Sequence, residues 1–211
     1  MNKKKIYEEM REKRNHEILD CAQKKFMEHG IGNITMKAIA SELKITRATL
    51  YKYFNSIEEI ANELEYRSIA NFTQYLRENS SSEGTGIQKI SRMIEVFEKF
   101  VDEHSEDIMF TAMYDTYFGN SVTDEKVQGK IEEEIHSFIV FHDLIDEGKI
   151  DGTIKKDIDS DLLNVTIANL LVSIMQRMTL RGEVIKREQY VENTNKIYET
   201  INKMIISYIK A

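Results

Sequence analysis

The chain is predicted to be all-α: a three-helix head, followed by a larger helical body, with about nine or ten helices in total. Three observations carry this. Apolar residues recur at spacings of three and four along most of the chain. No period-two strand pattern occurs. Proline is absent, so helices are punctuated by Gly, Ser and short polar runs.

The first helix is expected over about 10–28, with Ile18, Ala22 and Phe26 as one stripe and Gly30 as its stop. Lys3 to Lys5 precede it as a short basic arm. Cys21 lies beside the stripe and reads as a core filler; a redox role needs a thiol pKa lowered by cations. Ile31 and Ile34 pack under the next pair of helices. Thr35 is an N-cap candidate, and Ile39, Ala40 and Leu43 form one apolar face. Lys44 and Ile45 make a turn, and Thr46 caps a helix over 47–54 with Leu50 and Phe54 inward. Ser56 and Glu59 make a capping box. This is a helix-turn-helix, whose second helix is held proud of a small core so that its N-terminal end can enter a DNA major groove. The DNA-facing set is Thr35, Lys37, Thr46, Arg47, Ala48, Thr49, Tyr51, Lys52 and Tyr53. Arginine pairs bidentately with guanine, and Thr or Ala methyls meet a thymine methyl. Tyr51, Lys52 and Tyr53 suit phosphates, which position rather than specify. A helical hairpin with no DNA partner has the same pattern.

The stretch TMKAIASELKITRATLYKYFNSIEEI, Thr35 to Ile60, resembles the N-terminal domain of the TetR family of bacterial transcriptional repressors. Thr35, Ile39 and Ala40, the run Thr49 to Phe54, and Ser56, Glu58 and Glu59 carry the resemblance, which spans about residues 12–62. Ala48 stands where the family often has glycine. Ile57 stands where it usually has a phosphate-touching lysine. The resemblance implies a homodimer on a palindromic operator and an effector pocket among helices four to seven.

Net charge is −7, yet residues 1–60 carry 12 Lys/Arg against 9 Asp/Glu, and residues 61–211 carry 17 against 27. A basic head on an acidic body suits local phosphate contact, strongly weakened by salt. One cysteine excludes an intrachain disulfide and a cysteine zinc cluster. No apolar run approaches a membrane span, and the charged start is no signal peptide, so a cytoplasmic protein is expected. Gly-rich phosphate loops and hydrolase or zinc motifs are missing. Neither an enzyme, a metal nor a cofactor is predicted.

The body begins with a helix over about 56–77 that joins head to body and reads as a lever. Asn79 to Gly86 is a linker. The next helix carries Ile90, Ile94, Phe97 and Val101, and an acidic break comes after it at His104 to Asp107. A helix over about 106–118 is aromatic and methionine-rich. Met109, Phe110, Met113, Tyr114 and Tyr117, with Phe138, Phe141 and His142 on a helix expected over about 123–147, are the candidate ligand-binding residues. Their character points to a small hydrophobic or aromatic effector; the plainer reading is core. Gly148 and Gly182 are expected helix stops. The last two helices, about 160–181 and from about 188, have more apolar face than one chain covers. Leu170, Ile174, Met178, Ile197, Ile201, Met204 and Tyr208 are the candidate dimer interface, in the four-helix bundle that the resemblance implies. Domains are expected at 1–55, binding DNA, and 56–211, binding effector and dimerising. The alternative is an all-α ligand-binding or co-activator protein that kept the shape but acts through protein partners.

Overall fold

The computed structural model describes residues 3–119, 125–136, 140–188, 193 and 195–211; Phe138 lies outside them. Among the described residues there are ten α-helices: α1 Lys3–His29, α2 Met36–Glu42, α3 Arg47–Leu50, α4 Ile57–Asn79, α5 Gly86–Glu103, α6 Ser105–Phe118, α7 Glu125–His136, α8 Val140–Asp151, α9 Ser160–Glu188 and α10 Asn195–Ile209. A 3-10 turn, Ile31–Asn33, comes after α1. An isolated antiparallel bridge between Ile154 and Lys210 is the one extended pairing among them.

The helices form two compact units that are not contiguous in sequence. The first comprises residues 1–69 and 110–132. Its core is built on the predicted stripe: Ile18, Ala22 and Phe26 are fully buried, with Ile39, Leu50, Ile60 and Leu64. α6 adds Phe110, Tyr114 and Phe118 to the same core, the Phe110 ring 6.3 Å from Phe26. Ion pairs fasten the periphery. Lys25 meets Glu42 at 2.8 Å, tying α1 to α2, and Arg67 reaches Asp20 at 2.7 Å. Lys3 to Lys5 are the first turn of α1 rather than an arm.

The turn between α2 and α3 closes by two hydrogen bonds. The Ile45 N–H donates to the Ala40 carbonyl at 3.0 Å, and the Lys44 N–H to that of Ser41 at 3.2 Å. This six-to-one and five-to-two pair is a Schellman closure, which puts its central residue in the left-handed region. Lys44 has φ 54°, where a β-carbon is disfavoured.

The second unit comprises residues 70–109 and 133–211. α5, α8, α9 and α10 enclose a core of Ile90, Phe97, Phe100, Phe141, Ile145 and Leu171. The helix expected over 123–147 is described in two stretches, α7 and α8, and the residues between them lie outside the described ones. Here the structure departs from the sequence reading in two places. Gly148 lies inside α8, which ends at Asp151, just before Gly152 with φ 80°. Gly182 lies inside α9, which continues to Glu188. Gly148 is a packing residue: a β-carbon on Gly86 would sit 2.3 Å from its backbone nitrogen and 2.6 Å from the Leu144 carbonyl oxygen. α5 therefore starts hard against α8. Asp151 uses that approach, its carboxylate accepting the Gly86 N–H at 2.7 Å. The Thr153 hydroxyl and this backbone bond hold the Asp151 carboxyl below the usual range. No described helix is long and apolar enough to cross a membrane.

Two substitutions test these backbone constraints by urea denaturation. Gly86→Ala meets backbone that cannot give way and is expected to cost about 2–3 kcal/mol. Lys44→Gly removes the left-handed penalty and is expected to gain up to about 1 kcal/mol.

Candidate nucleic-acid interface

α3 is a single turn, shorter than the eight residues expected. The chain stays coiled beyond it, because the Tyr53 N–H donates to the Leu50 carbonyl at 2.9 Å and the Phe54 N–H to the same oxygen at 3.1 Å. Ser56 Oγ accepts the Glu59 N–H at 3.1 Å, and the Glu59 carboxylate reaches back to the Asn55 N–H at 2.5 Å. The box thus closes one residue earlier than the sequence suggests, and it fixes where α4 begins.

Both ends of the motif are capped as predicted. Thr35 Oγ1 accepts the Ala38 N–H at 3.2 Å, and Thr46 Oγ1 accepts the Thr49 N–H at 3.1 Å. Each such cap is worth about 1 kcal/mol. The Thr46 and Thr49 hydroxyls also pair at 2.9 Å.

Leu50 and Phe54 are buried beneath α3. On the other side Thr35, Lys37, Thr46, Arg47, Ala48, Tyr51 and Lys52 are exposed, and Thr49 and Tyr53 half-buried. Tyr53 leans on the core with its ring, as does Ile57 at the start of α4. Ile57 is a packing residue here.

The residues read as ligand-binding are distributed between the units. Phe110, Met113 and Tyr114 pack on the first unit's core. Tyr117 is about half exposed, its ring edge to that of Phe118 at 4.8 Å. A β-carbon on Gly32 would sit 2.8 Å from the Tyr117 ring. Met109 and Phe141 belong to the second unit, Phe141 fully buried with its ring 5.9 Å from Phe97. His142 lies among carboxylates, 3.2 Å from Asp161 and 3.4 Å from Asp143.

Sequence reasoning missed the polar groups beside Tyr114. The Tyr114 hydroxyl donates to Asn62 Oδ1 at 2.7 Å, both residues buried on facing helices. One turn along α4, Glu65 is only 6% exposed, and its Oε2 has no hydrogen-bond partner among the described residues. Burial, with a smaller push from the Asp115 carboxylate, raises the Glu65 pKa to about 8. Burial and the same two carboxyls raise Tyr114 to about 12. A signal existed: Ala61, Glu65 and Ser68 stand at i, i+4, i+7, a buried face with polar members. Cys21, by contrast, fits the core reading, since burial raises its thiol despite Lys24 and Lys25 nearby.

Residues 18–64 match the family model described as bacterial regulatory proteins, tetR family. Over those residues the chain is similar to the N-terminal domain of that family. Solved structures resemble it over nearly its whole length. The regulator FadR from Bacillus subtilis, in complex with stearoyl-CoA, is 18% identical, with 91% of this chain and 97% of that one covered at a TM-score of 0.66. The ketosteroid regulator KstR2 of Mycobacterium tuberculosis is 18% identical over 94% and 95%, TM-score 0.62. A tetR-family protein from Rhodococcus RHA1 is 10% identical over 93% and 97%, TM-score 0.71. At such identities these show the TetR-like fold. No curated protein matches the chain. Among the described residues, no three His, Cys, Asp or Glu are grouped to hold a metal ion.

The buried Glu65 makes stability pH-dependent with a definite sign. Its folded pKa of about 8 lies above the ordinary 4.5, so the folded chain holds a proton that the unfolded chain gives up. That contribution is complete below pH 4.5 and is lost as pH rises to about 8. The slope from this group reaches at most about 1.4 kcal/mol per pH unit. Glu65→Gln should flatten the fall in stability between those limits, measured by denaturation at a series of pH values. Parallel curves for parent and variant would show that Glu65 is not protonated on folding.

Proposed function

We propose that the chain is a DNA-binding transcriptional regulator, a repressor released from a palindromic operator by a small hydrophobic or aromatic effector. The observation that carries the reading is the outer face of α3 and of the turn that follows it: Arg47, Ala48, Tyr51 and Lys52 are exposed, while Leu50 anchors α3 in the core. In this reading Arg47 reads base edges with Ala48 and the Thr49 methyl. Lys52, Tyr51 and Tyr53 hold phosphates, and Thr35, Lys37 and Thr46 complete the contact surface. With Ile57 packed on the core, the fourth helix brings no lysine to the backbone at that position. The division of labour is 1–55 for DNA and 56–211 for effector and dimerisation. The chain has no enzymatic role and works in the cytoplasm. The protein-partner alternative is not favoured, since it leaves the cationic and aromatic outer face of α3 without a purpose.

One helix-turn-helix covers one half-site, so a homodimer is part of the proposal. The outer faces of α9 and α10 support it. Leu162, Val165, Leu170, Leu180, Met204 and Tyr208 are all exposed, and Met204 and Tyr208 are about two-thirds so. α9 and α10 border a groove of about 660 Å³ that includes Leu170, Ile201, Met204 and Tyr208. Ile174 and Ile197 lie half-buried at its edge of the bundle, while Met178 is already covered within its own chain.

The effector side of the proposal rests on the first unit. Phe110, Met113, Tyr114 and Tyr117 give apolar wall, and Asn62 and Glu65 give the polar groups that orient a ligand. α4 also carries Ile60, Ala61 and Leu64, on which the helix-turn-helix is built. A ligand that moves α4 therefore acts on the support of α3 directly. Coupling of about 1–3 kcal/mol is typical of such switches. One fold neighbour is in complex with stearoyl-CoA, whose acyl chain is apolar although its coenzyme A part is not.

Two variants separate the assigned DNA roles in binding titrations. Arg47→Ala should cost about 1–3 kcal/mol on the operator and relax its base preference. Lys52→Ala should weaken all sequences alike and reduce the salt slope by about one. Equal losses on operator and random DNA for both would contradict the assignment. By light scattering the parent should be dimeric at micromolar concentration and Met204→Lys largely monomeric; a monomeric parent removes the dimer from the proposal.

A further inference from the structure

The second unit has a polar feature apart from the surfaces above. α5, α9 and α10 bound two adjoining clefts, of about 220 Å³ and 450 Å³, and Glu98 and Tyr198 line both. The walls are rich in carboxylates. Glu183 is neutralised by Lys186 at 2.6 Å, and Glu199 is approached by Lys203 at 3.9 Å. Glu95, Glu98 and Asp102 make no ion pair among the described residues, although the Lys99 charge partly offsets the crowding at Glu98. The crowding is felt at Glu98, whose carboxyl is raised first by burial and then by Asp102, Glu199 and Glu95.

A second observation is independent of the charge. Three buried oxygens in these walls have no hydrogen-bond partner among the described residues: the Tyr198 hydroxyl, Thr179 Oγ1 and Asn202 Oδ1. Tyr198 is only 3% exposed, and the Glu98 and Asp102 charges reach its hydroxyl. The Asn202 amide is fixed by its Nδ2 donating to Ser91 Oγ at 3.0 Å, which leaves Oδ1 with no donor. Leaving such groups unmade costs about 1–3 kcal/mol each. Each of the three oxygens can accept a hydrogen bond, and an ammonium N–H would supply one while meeting the charge of the carboxylates beside them.

We propose that these clefts are a binding site for a small aliphatic amine, its ammonium groups set between Glu98, Asp102 and the Tyr198 hydroxyl. A bare metal ion suits the place poorly, since no metal-holding group of side chains is found among the described residues. Ile94 and Val101 offer apolar wall to a methylene chain. Tyr198 lies on the face of α10 turned to α5, whereas Met204 and Tyr208 are exposed, so the site does not use the proposed dimer face. It is independent of the DNA reading as well.

The test is calorimetric titration of the full chain with 1,4-diaminobutane, alongside 1-butanol as the uncharged counterpart. Saturable binding at one site per chain is expected, with a Kd of the order of 0.1 mM, and 1-butanol should give none. Glu98→Gln with Asp102→Asn should weaken binding at least about tenfold. Tyr198→Phe keeps the ring packing, removes the orphan hydroxyl, and should weaken binding by about fivefold without loss of thermal stability. Glu9→Gln with Glu12→Gln removes equal charge from the exposed face of α1 and should leave affinity unchanged. The proposal is overturned by an absence of saturable binding up to about 10 mM. Equal binding of 1-butanol, equal losses in the α1 control, or no loss in the cleft variants would overturn it too.

Discussion

A helix of four residues has no stability of its own, because one turn fixes more dihedral freedom than its hydrogen bonds return. α3 therefore exists only because Leu50 is locked into a core already made by Ile18, Ala22, Phe26 and Ile39. The Thr46 cap and the Schellman turn at Lys44 then set where it starts and how it leaves α2. Everything the outer face presents hangs on that one buried side chain. The arrangement also explains why Phe110 and Tyr114, far away in sequence, matter to it. They complete the same core from α6.

Electrostatics divides the chain in the same sense. The first 60 residues are net basic and the remainder strongly acidic, so phosphate attraction is confined to a small area and a duplex is repelled elsewhere. Binding that relies on few contacts is steep in salt. Inside the first unit the logic is reversed: burial and the Asp115 carboxylate push the Glu65 carboxyl up to about 8, so its charged form is disfavoured there. Such a perturbed group is common where a site must recognise something.

Much of this was legible in the sequence. Helical periodicity found the stripe of α1, the inward pair Leu50 and Phe54, and the core face of α5, because burial on one side leaves a repeat. Caps were readable at Thr35, Thr46 and Ser56, since their chemistry is local. The failures have non-local causes. Gly148 looked like a stop, yet it is required by the close approach of α5 to α8, which only the folded unit contains. Gly182 stays helical because packing on α9 outweighs the roughly 1 kcal/mol that glycine costs within a helix. Glu65 was passed over, although its spacing from Ala61 and Ser68 put it inward. Phe141 and His142 were expected on the next helix, facing the Met109 to Tyr117 wall, but their partners are Phe97 and Asp161 in the second unit.

The claim that α3 presents a DNA-reading face is met most directly by a gel shift of the full chain on the DNA immediately upstream of its own coding sequence. A discrete complex is predicted, resistant to excess random DNA at low salt and lost as salt is raised. A complex that random DNA competes away equally well, or none even at low salt, would contradict it.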